Sequence, residues 1–392
     1  MIPMTFTGKP SLGALFYSIT VFLHPVLSAQ YTTSGSETPH DNTQNCTCYV
    51  VGSGANADQP AYFQYYRFFD FRNLADNADQ YVQAPPLLNT SQEAASASVW
   101  DANILNSDAW KTDWNIQNWS KPATSDFPTP MTNSFANVYI QQNADGGDDF
   151  TFLTLRTSRL NDSQTAAEIE NEQKNLMHVT MRMHARVVGS KGAVAGFFTF
   201  FDDSNESDIE ILTRDPKTTI RYTNQPAVDK SGNEVASASV APQNLASWDQ
   251  WQTHRIDWLD KNSFWYLNGK EVAANTYSVP RKPSGLTINM WSDGGEWSGN
   301  MEQGGSAEFQ IQWIEMAFNT SGPVGGPKGK RDVEVLQKRK KSKGCEVVCK
   351  IDDVEKMGTP DIVSVNYSMA GSVSVSWGLL AIVTLVSFFT SM

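Results

Sequence analysis

The segment from Asn175 to Val188 alternates apolar and polar side chains throughout, and it constrains the fold more than any other stretch. Alternate residues of a β-strand share one face, so this pattern predicts a long strand with one buried side. Shorter strands are predicted at 192–201, 253–258, 263–267, 286–291 and 309–318. One helix is predicted, from Ser163 to Lys174. Strands separated by turn residues, without long helical patterns, indicate an all-β domain of two packed antiparallel sheets.

Three acidic residues occupy alternate positions of one predicted strand. Glu206, Asp208 and Glu210 alternate with Ser207 and Ile209, and an aromatic run precedes them. Three carboxylates on one sheet face repel one another, so a purely structural strand rarely selects them. The alternative is a solvated edge strand. Because Ile209 and Ile211 indicate a buried back face, the pattern favours a catalytic strand.

Paired carboxylates of this kind are suited to the cleavage of glycosidic bonds. One ionised carboxylate attacks the anomeric carbon, and a second, protonated one gives its proton to the leaving oxygen. A third acid between them can hold the nucleophile through a shared proton. On a flat strand Glu206 and Glu210 would be about 13 Å apart, whereas a retaining pair needs carboxyl groups about 5–5.5 Å apart. The hypothesis therefore requires a concave sheet and a coupled titration of the three acids.

A groove for sugars also needs aromatic platforms. The segment 289–299 supplies Trp291 and Trp297 with glycines between them, and Tyr222 is a third candidate. These three residues are predicted to bind substrate. No motif requires a metal ion or another cofactor.

Both ends of the chain carry targeting signals. Residues 1–29 resemble a secretory signal peptide, with one charge, an apolar run and small residues at Leu27-Ser28-Ala29. Residues 366–392 resemble the signal for a glycolipid (GPI) anchor, because a small and polar segment precedes an apolar stretch too short to span a membrane. The alternatives are a signal anchor and a plain tail anchor. Secretion and attachment to the cell surface are the expectation.

Between the two targeting signals, composition divides the chain into four segments. Residues 30–45 are predicted to be a disordered lead, 46–321 the main domain and 322–343 a basic Gly/Pro linker. Residues 344–365 are predicted to return to the domain. Seven glycosylation sequons begin at Asn45, Asn89, Asn118, Asn161, Asn205, Asn319 and Asn366. A glycan on Asn205 would block the acidic strand.

Four cysteines form two close pairs, Cys46 with Cys48 and Cys345 with Cys349. In a secreted protein disulfides are the expected state. We expect the first pair to bond the second pair and so to join the ends of the domain. Two local bridges are the alternative, and spacing alone does not decide between them.

The net charge of −12 argues against a nucleic-acid partner. A monomer is expected. The basic stretch between 328 and 343 departs from this balance, and its Lys330-Arg331 and Lys338-Arg339 pairs are candidate sites for a dibasic protease.

The residues on the acidic strand resemble the Glu-x-Asp-x-Glu signature of family-16 glycoside hydrolases, in the form without an inserted bulge residue. The runs Gly196-Phe197-Phe198, His254 to Trp258 and Met290-Trp291-Ser292 resemble the same family in the same order. The resemblance covers roughly residues 170 to 320. It implies a concanavalin A-like β-jelly roll with a concave substrate face.

By this resemblance Glu206 is the nucleophile, Asp208 the assisting acid and Glu210 the general acid/base of a retaining reaction. The substrates implied are cell-wall β-glucans, with chitin as a further acceptor, and the chain looks like fungal GPI-anchored members. One departure is that Ser207 stands where isoleucine or leucine is usual. Fungal chitin–glucan crosslinking enzymes more often show Asp-Glu-Ile-Asp, so this departure argues against crosslinking.

Two hypotheses follow. The first is an enzyme that cleaves or transfers β-glucan, and the second is a non-catalytic glycan-binding wall protein on the same fold. An intact triplet favours the enzyme. Hydrolysis and transglycosylation share one covalent intermediate, so the sequence leaves both open, as it does the linkage that is cut.

Overall fold

The structure is a computed structural model, and it describes residues 31, 33–36, 46–74, 83–144, 149–322 and 345–365. The predicted signal peptide and anchor signal, with nearly all of the predicted linker, lie outside these residues. No helix within them is long and apolar enough to cross a membrane.

Two curved antiparallel sheets face each other and form a jelly-roll-like sandwich, which confirms the predicted fold. Two long strands, Leu176–Gly189 and Ser306–Thr320, pair with each other at the centre of the back sheet. Its strands are β1 (Thr33–Ser36), β4 (Tyr65–Asp70), β6 (Ser120–Lys121), β7 (Met131–Asn133), β8 (Val138–Gln142), β9 (Thr151–Arg159), β11 (Leu176–Gly189), β16 (Gln252–Trp258), β17 (Ser263–Leu267), β18 (Lys270–Asn275) and β20 (Ser306–Thr320).

The front sheet carries the acidic strand near its middle. In spatial order its strands are β5 (Trp114–Ile116), β10 (Gln164–Asn171), β19 (Gly285–Trp291), β12 (Val194–Asp202), β13 (Asn205–Leu212), β14 (Arg221–Asn224) and β15 (Ser239–Val240). The segments 176–189, 194–202, 252–258 and 285–291 coincide with predicted strands. The period-2 alternation of 175–188 therefore predicted the long strand β11 correctly.

Strand β10 belongs to both sheets, and it replaces the helix predicted from Ser163 to Lys174. Its first half pairs with β7 and β9 of the back sheet, and its second half pairs with β5 and β19 of the front sheet. The helix prediction was wrong because alanine and glutamate favour a helix locally, whereas these edge pairings come from strands far away in the sequence.

The hydrophobic core fills the space between the two sheets. Met181 and Met183 of β11 face Ile209 and Ile211 of β13, and all four are 2% exposed or less. The methionines thus serve as core, as their position on the apolar face of β11 indicates. Burial of this inner layer holds β13 with its other face turned outward.

Residues 31 and 33–36 are ordered, although they belong to the predicted disordered lead over 30–45, and the other residues of that lead lie outside the described residues. Strand β1 pairs with β4, and Tyr31 is 1% exposed. The Tyr31 hydroxyl donates to Asp113 and accepts from the Trp114 indole, both at 3.0 Å. One buried aromatic ring gives this polar segment an anchor that its composition does not reveal.

A third, small sheet packs on the outer face of the back sheet, and we call it the clamp sheet. Its strands are β2 (Cys48–Ser53), β3 (Gln59–Phe63), β21 (Val347–Lys350) and β22 (Asp361–Val365). Disulfides join Cys46 to Cys349 and Cys48 to Cys345. The first of the two predicted connectivities is therefore confirmed, and the return segment is tied to the domain by covalent bonds and by pairing of β21 with β2.

Helical structure is minor and short. The helices are α1 (Ser91–Ser96), α2 (Ala102–Leu105) and α3 (Asp108–Asp113), with 3-10 turns at Ala55–Ala57 and Phe135–Asn137. Thr90 and Ser107 cap α1 and α3 by accepting from Glu93 N and Trp110 N. These helices lie in connections outside the two sheets.

Candidate active site

The three acids lie on the outward face of β13. Ile209 and Ile211 point into the core, so Glu206, Asp208 and Glu210 share the opposite face by the alternation of a strand. Because β13 is paired on both sides, to β12 and β14, it is a central strand and not the solvated edge of the alternative reading. We call these residues the acidic triplet.

Neighbouring strands place small and aromatic residues beside the acidic triplet. Gly196 and Phe198 of β12 lie opposite Glu210 and Asp208, and Asn289 of β19 lies opposite Gly196. A Cβ atom at position 196 would come within 2.5 Å of Asn289 Oδ1. Glycine is therefore required there to let the Asn289 side chain lie across the sheet face.

Asp208 is the most deeply buried member of the acidic triplet, at 1% exposure. Its Oδ2 accepts a hydrogen bond from Gln225 Nε2 at 3.1 Å, and a side-chain hydrogen bond joins it to Glu206. Burial, followed by the charges of Glu206 and Glu210, raises the pKa of Asp208 well above its usual value. Burial therefore favours the protonated form of Asp208.

Glu206 and Glu210 each have one specific hydrogen bond that favours the charged form. Burial raises the pKa of Glu206 to about 7, and the hydrogen bond from Asp208 opposes this rise. Burial also raises the pKa of Glu210 to about 7. Two neighbours oppose this rise: the Trp297 indole, which donates to Glu210 Oε1 at 3.2 Å, and the charge of the Arg221 guanidinium. Charge on one acid therefore affects the ionisation of its neighbours, as Glu210 raises the pKa of both Glu206 and Asp208.

The loop after β19 holds the Trp297 indole against Glu210. Asp293 is 2% exposed and accepts from Gly295 N at 3.1 Å and from the Ser298 hydroxyl at 2.8 Å. The Arg221 guanidinium lies over the Trp297 ring, 4.7 Å from its centre, and its Nε contacts Asp215 at 3.0 Å. A cation and an indole therefore contact the same end of the acidic triplet.

The three predicted aromatic platforms have different locations. Trp297 contacts Glu210, whereas Trp291 lies two strands away on the same face of the front sheet as Asn289. Tyr222 lies opposite Ile209, is 0% exposed and packs against Trp265 in the core. Its prediction as a substrate-binding residue is wrong because β14 presents Arg221 and Thr223, not Tyr222, to the cleft.

The front sheet carries a second polar group that was not predicted from the sequence. Glu168 of β10 accepts from the Trp119 indole at 3.0 Å and from Asn289 Nδ2 at 3.3 Å, and burial raises its pKa. It lies in the same cross-strand row as Glu210, three strands away, or about 14 Å. The signal was available in the alternation of Glu168 and Glu170, but the helix prediction hid it.

Trp119 is the exposed aromatic residue of this second group. Its side chain is 42% exposed, while its indole nitrogen is fixed by Glu168. A half-open indole beside a buried acid can stack on a sugar ring and hydrogen-bond its hydroxyls. The front sheet thus offers polar and aromatic contacts well beyond the acidic triplet.

The Asn205 side chain is engaged at the end of the acidic strand. Its Nδ2 donates to Asp202 at 2.8 Å, and its Oδ1 accepts from Arg281 N at 3.0 Å. A glycan on Nδ2 would disrupt the first of these bonds. Among the described residues no group of three or more histidine, cysteine, aspartate or glutamate side chains is arranged to hold a metal ion.

Comparison with known proteins agrees with this arrangement. Residues 131–315 match the family described as glycosyl hydrolases family 16, which confirms the resemblance drawn from the signature. Beta-glucanases from Brevibacillus brevis and Acetivibrio thermocellus are 28% identical over 118 residues and 29% identical over 141 residues. These matches cover 28% and 33% of this chain, and 43% and 39% of the relatives, so the chain spans less than half their length.

Solved structures are also similar. A Bacillus licheniformis beta-glucanase is 18% identical with a TM-score of 0.41, covering 53% of this chain and 92% of its own. A family-16 endo-glucanase from Bacteroides ovatus is 12% identical with a TM-score of 0.41, covering 53% and 95%.

Proposed function

We propose that the domain of glycosyl hydrolase family 16 in this chain cleaves or transfers β-glucan through a covalent glycosyl-enzyme intermediate. The observation that carries the proposal is the acidic triplet. Its two outer acids have different partners, Asp208 for Glu206 and Trp297 with Arg221 for Glu210. Two carboxyl groups in different environments are what a nucleophile and a general acid require.

In the first step Glu206 attacks the anomeric carbon while Glu210 gives its proton to the leaving glycosidic oxygen. The proton that Asp208 shares with Glu206 keeps the nucleophile in place and lowers its basicity enough for it to ionise. In the second step Glu210, now ionised, takes a proton from water or from a sugar hydroxyl, and that oxygen displaces Glu206. Water gives hydrolysis, and a sugar hydroxyl gives transglycosylation.

The charge of the front sheet supports a neutral polymer as the substrate. Three cations near this face each contact an acid: Lys121 with Asp293 at 3.7 Å, Lys174 with Glu170 at 2.7 Å and Arg221 with Asp215 at 3.0 Å. An excess of carboxylates would repel a sulfated or uronate chain. A glucan, which carries no charge, fits this balance, and the relatives' description as beta-glucanases supports the same class.

We further propose that the protein is secreted, glycosylated and held at the cell surface by a lipid anchor, as a monomer. The signal-like segment 1–29 and the anchor-like segment 366–392 support this location. Two disulfides that join distant parts of the chain are typical of oxidising compartments.

The test is an assay of the secreted protein and its Glu206→Gln variant on laminarin, lichenan and labelled chito-oligosaccharide acceptors. Exposed Glu302 offers the matched control Glu302→Gln. We expect the wild type to release reducing ends from a glucan. Glu206→Gln should lower the rate of release at least about a thousandfold, and Glu302→Gln should leave it unchanged. Longer or hybrid oligosaccharides, lost in the same variant, identify transglycosylation or crosslinking. Glucan binding without turnover in any variant would replace the enzyme with a glycan-binding wall protein.

A further inference from the structure

Gln225, directly after β14, has a side-chain amide whose orientation is fixed. Its Oε1 accepts from Ala227 N at 2.7 Å, and its Nε2 donates to Asp208 Oδ2 at 3.1 Å. Its backbone is also held, since Gln225 N donates to Glu206 O at 3.1 Å and the Ser278 hydroxyl donates to Gln225 O at 2.7 Å. A flipped amide would place Nε2 against the Ala227 N–H and Oε1 against Asp208 Oδ2, so only the observed orientation satisfies both neighbours.

This orientation makes the two oxygens of Asp208 inequivalent. Oδ2 faces an N–H group and must accept, so it cannot carry a proton towards Gln225. Oδ1 is buried and receives no donor from the described residues. A hydrogen bond between two carboxyl groups needs a proton between them, and Asp208 and Glu206 form such a bond. The orphaned Oδ1 is the position left for that proton.

We propose that Gln225 is a positioning residue that confines the proton of Asp208 to Oδ1, so that Asp208 donates it to Glu206. This inference rests on the proposed function, because its consequence is the control of the nucleophile. Gln225 touches Asp208 and acts on Glu206 only through it. A nucleophile that accepts a hydrogen bond in its charged form ionises at lower pH than one that lacks it.

The other groups around Asp208 do not make this distinction. Phe198 of β12 and Thr223 of β14 lie opposite it and carry no charge. Three further charged groups lie nearby: Glu210 on the same strand, Arg221 opposite Glu210, and Asp203 in the hairpin, whose charge acts on Glu206. None of them forms a hydrogen bond with one Asp208 oxygen in preference to the other, whereas Gln225 donates to Oδ2.

The first test is the pH profile of the Gln225→Met variant, which keeps the length of the side chain and removes both hydrogen bonds. We expect the acid limb of kcat/KM, which reports ionisation of Glu206, to move up by about 0.5–1 pH unit, with the alkaline limb and KM unchanged. Below the acid limb, activity should fall about three- to tenfold. The control is Gln243→Met, which also removes two hydrogen bonds, to Ala241 O and from Thr219, away from the acids.

The second test needs no activity. Carboxyl-carbon NMR of the intact protein, labelled at aspartate and glutamate, follows each acid through its titration. In wild type we expect Glu206 to ionise before Asp208, and in Gln225→Met we expect the Glu206 midpoint to rise. If Gln225→Met does not fold, Gln225→Asn takes its place, because its shorter amide cannot reach both Asp208 and Ala227 N, and the same rise of the Glu206 midpoint is expected.

The outcomes separate the two proposals. An active enzyme whose pH profile and titration curves are the same in wild type and Gln225→Met overturns the role of Gln225 and leaves the function intact. Ionisation of Asp208 before Glu206 in wild type overturns it as well. A wild type that is inactive on every glucan overturns the function, and the titration still decides where the proton lies.

Discussion

Two groups of charged side chains lie on opposite sheets of this domain, and both are largely buried. One is the acidic triplet of the front sheet. The other, which we call the ion cluster, lies between the back sheet and the clamp sheet and consists of Arg182, Arg255, Asp257, Glu315 and Asp352. Except for Asp352, which follows β21, the members of both groups are charged residues on strands, so the sequence pattern of the two regions is alike.

The two groups differ in how their charges are paired. In the ion cluster Arg255 donates twice to Asp257, at 2.7 and 2.6 Å, and the hydroxyls of Thr180 and Ser53 donate to the same carboxylate at 2.6 and 2.7 Å. Glu315 accepts from the Tyr66 hydroxyl at 2.8 Å and contacts Arg182 at 3.5 Å. Each acid therefore has a cation and further donors.

The acidic triplet lacks such compensation. Its described contacts to other residues are one amide, one indole and the nearby charge of Arg221, and burial raises the pKa of all three acids. Burial of charge is thus common to both regions, and pairing is what separates them. The ion cluster stabilises the attachment of the clamp sheet, whereas the acidic triplet is retained although it destabilises the fold at neutral pH.

The largest effect should follow from removing one charge of the ion cluster. Asp257 is 0% exposed, and Asp257→Asn leaves Arg255 buried without its main partner. We expect a loss of about 3–5 kcal/mol in the free energy of unfolding, measured by denaturant titration with the disulfides intact. The kcat of the folded fraction should change less than about twofold.

Asp249→Asn is the matched control, because Asp249 pairs with Lys217 at the surface, where the Lys217 side chain is 61% exposed. Its expected cost is below about 1 kcal/mol. Equal costs for the two variants would show that the ion cluster contributes no more than a surface ion pair, and the contrast between the two regions would fail.

A smaller effect of opposite sign should follow from neutralising the acidic triplet. The folded-state pKa of Glu210 is raised to about 7 from 4.5, so the folded state binds more protons than the unfolded state between these values. Stability therefore falls as pH rises through this window. We expect Glu210→Gln to gain about 1–3 kcal/mol over wild type at pH 7.5 and nothing at pH 4.5.

Thermal or denaturant unfolding at both pH values measures this gain, with Glu302→Gln as a control that should differ from wild type by less than about 0.5 kcal/mol at either pH. A Glu210→Gln variant no more stable than wild type at pH 7.5 would mean that the acidic triplet is as well compensated as the ion cluster.

The sequence predicted what depends on local alternation. The face shared by Glu206, Asp208 and Glu210 follows from period 2, which is a property of any strand. The joining of the two chain ends by disulfides was also predicted, as one of two options. The strand at 164–171 was missed because its pairing partners, β5 and β19, are remote in the sequence.

Two further features depend on register between strands. Strand β14 has four residues, too few for alternation to show that Tyr222 faces the core and Arg221 the cleft. The ion cluster brings together residues from β11, β16, β20 and the segment after β21, and each of them alone looks like a solvated charge. The role of Gln225 depends in the same way on the single acid it faces.

The smallest effect should come from the indole at the Glu210 end of the acidic triplet. Trp297→Phe keeps an aromatic ring beside Arg221 and removes the N–H that donates to Glu210. That bond lowers the pKa of Glu210, so its loss should raise this pKa and keep the general acid protonated to higher pH. We expect the alkaline limb of kcat/KM to move up by about half a pH unit, with the acid limb unchanged.

Trp291→Phe, on the same face but without a described hydrogen bond to the acidic triplet, should alter KM and leave both limbs in place. If both variants moved the alkaline limb equally, the shift would reflect a general loss of aromatic burial and not the loss of one specific donor to Glu210.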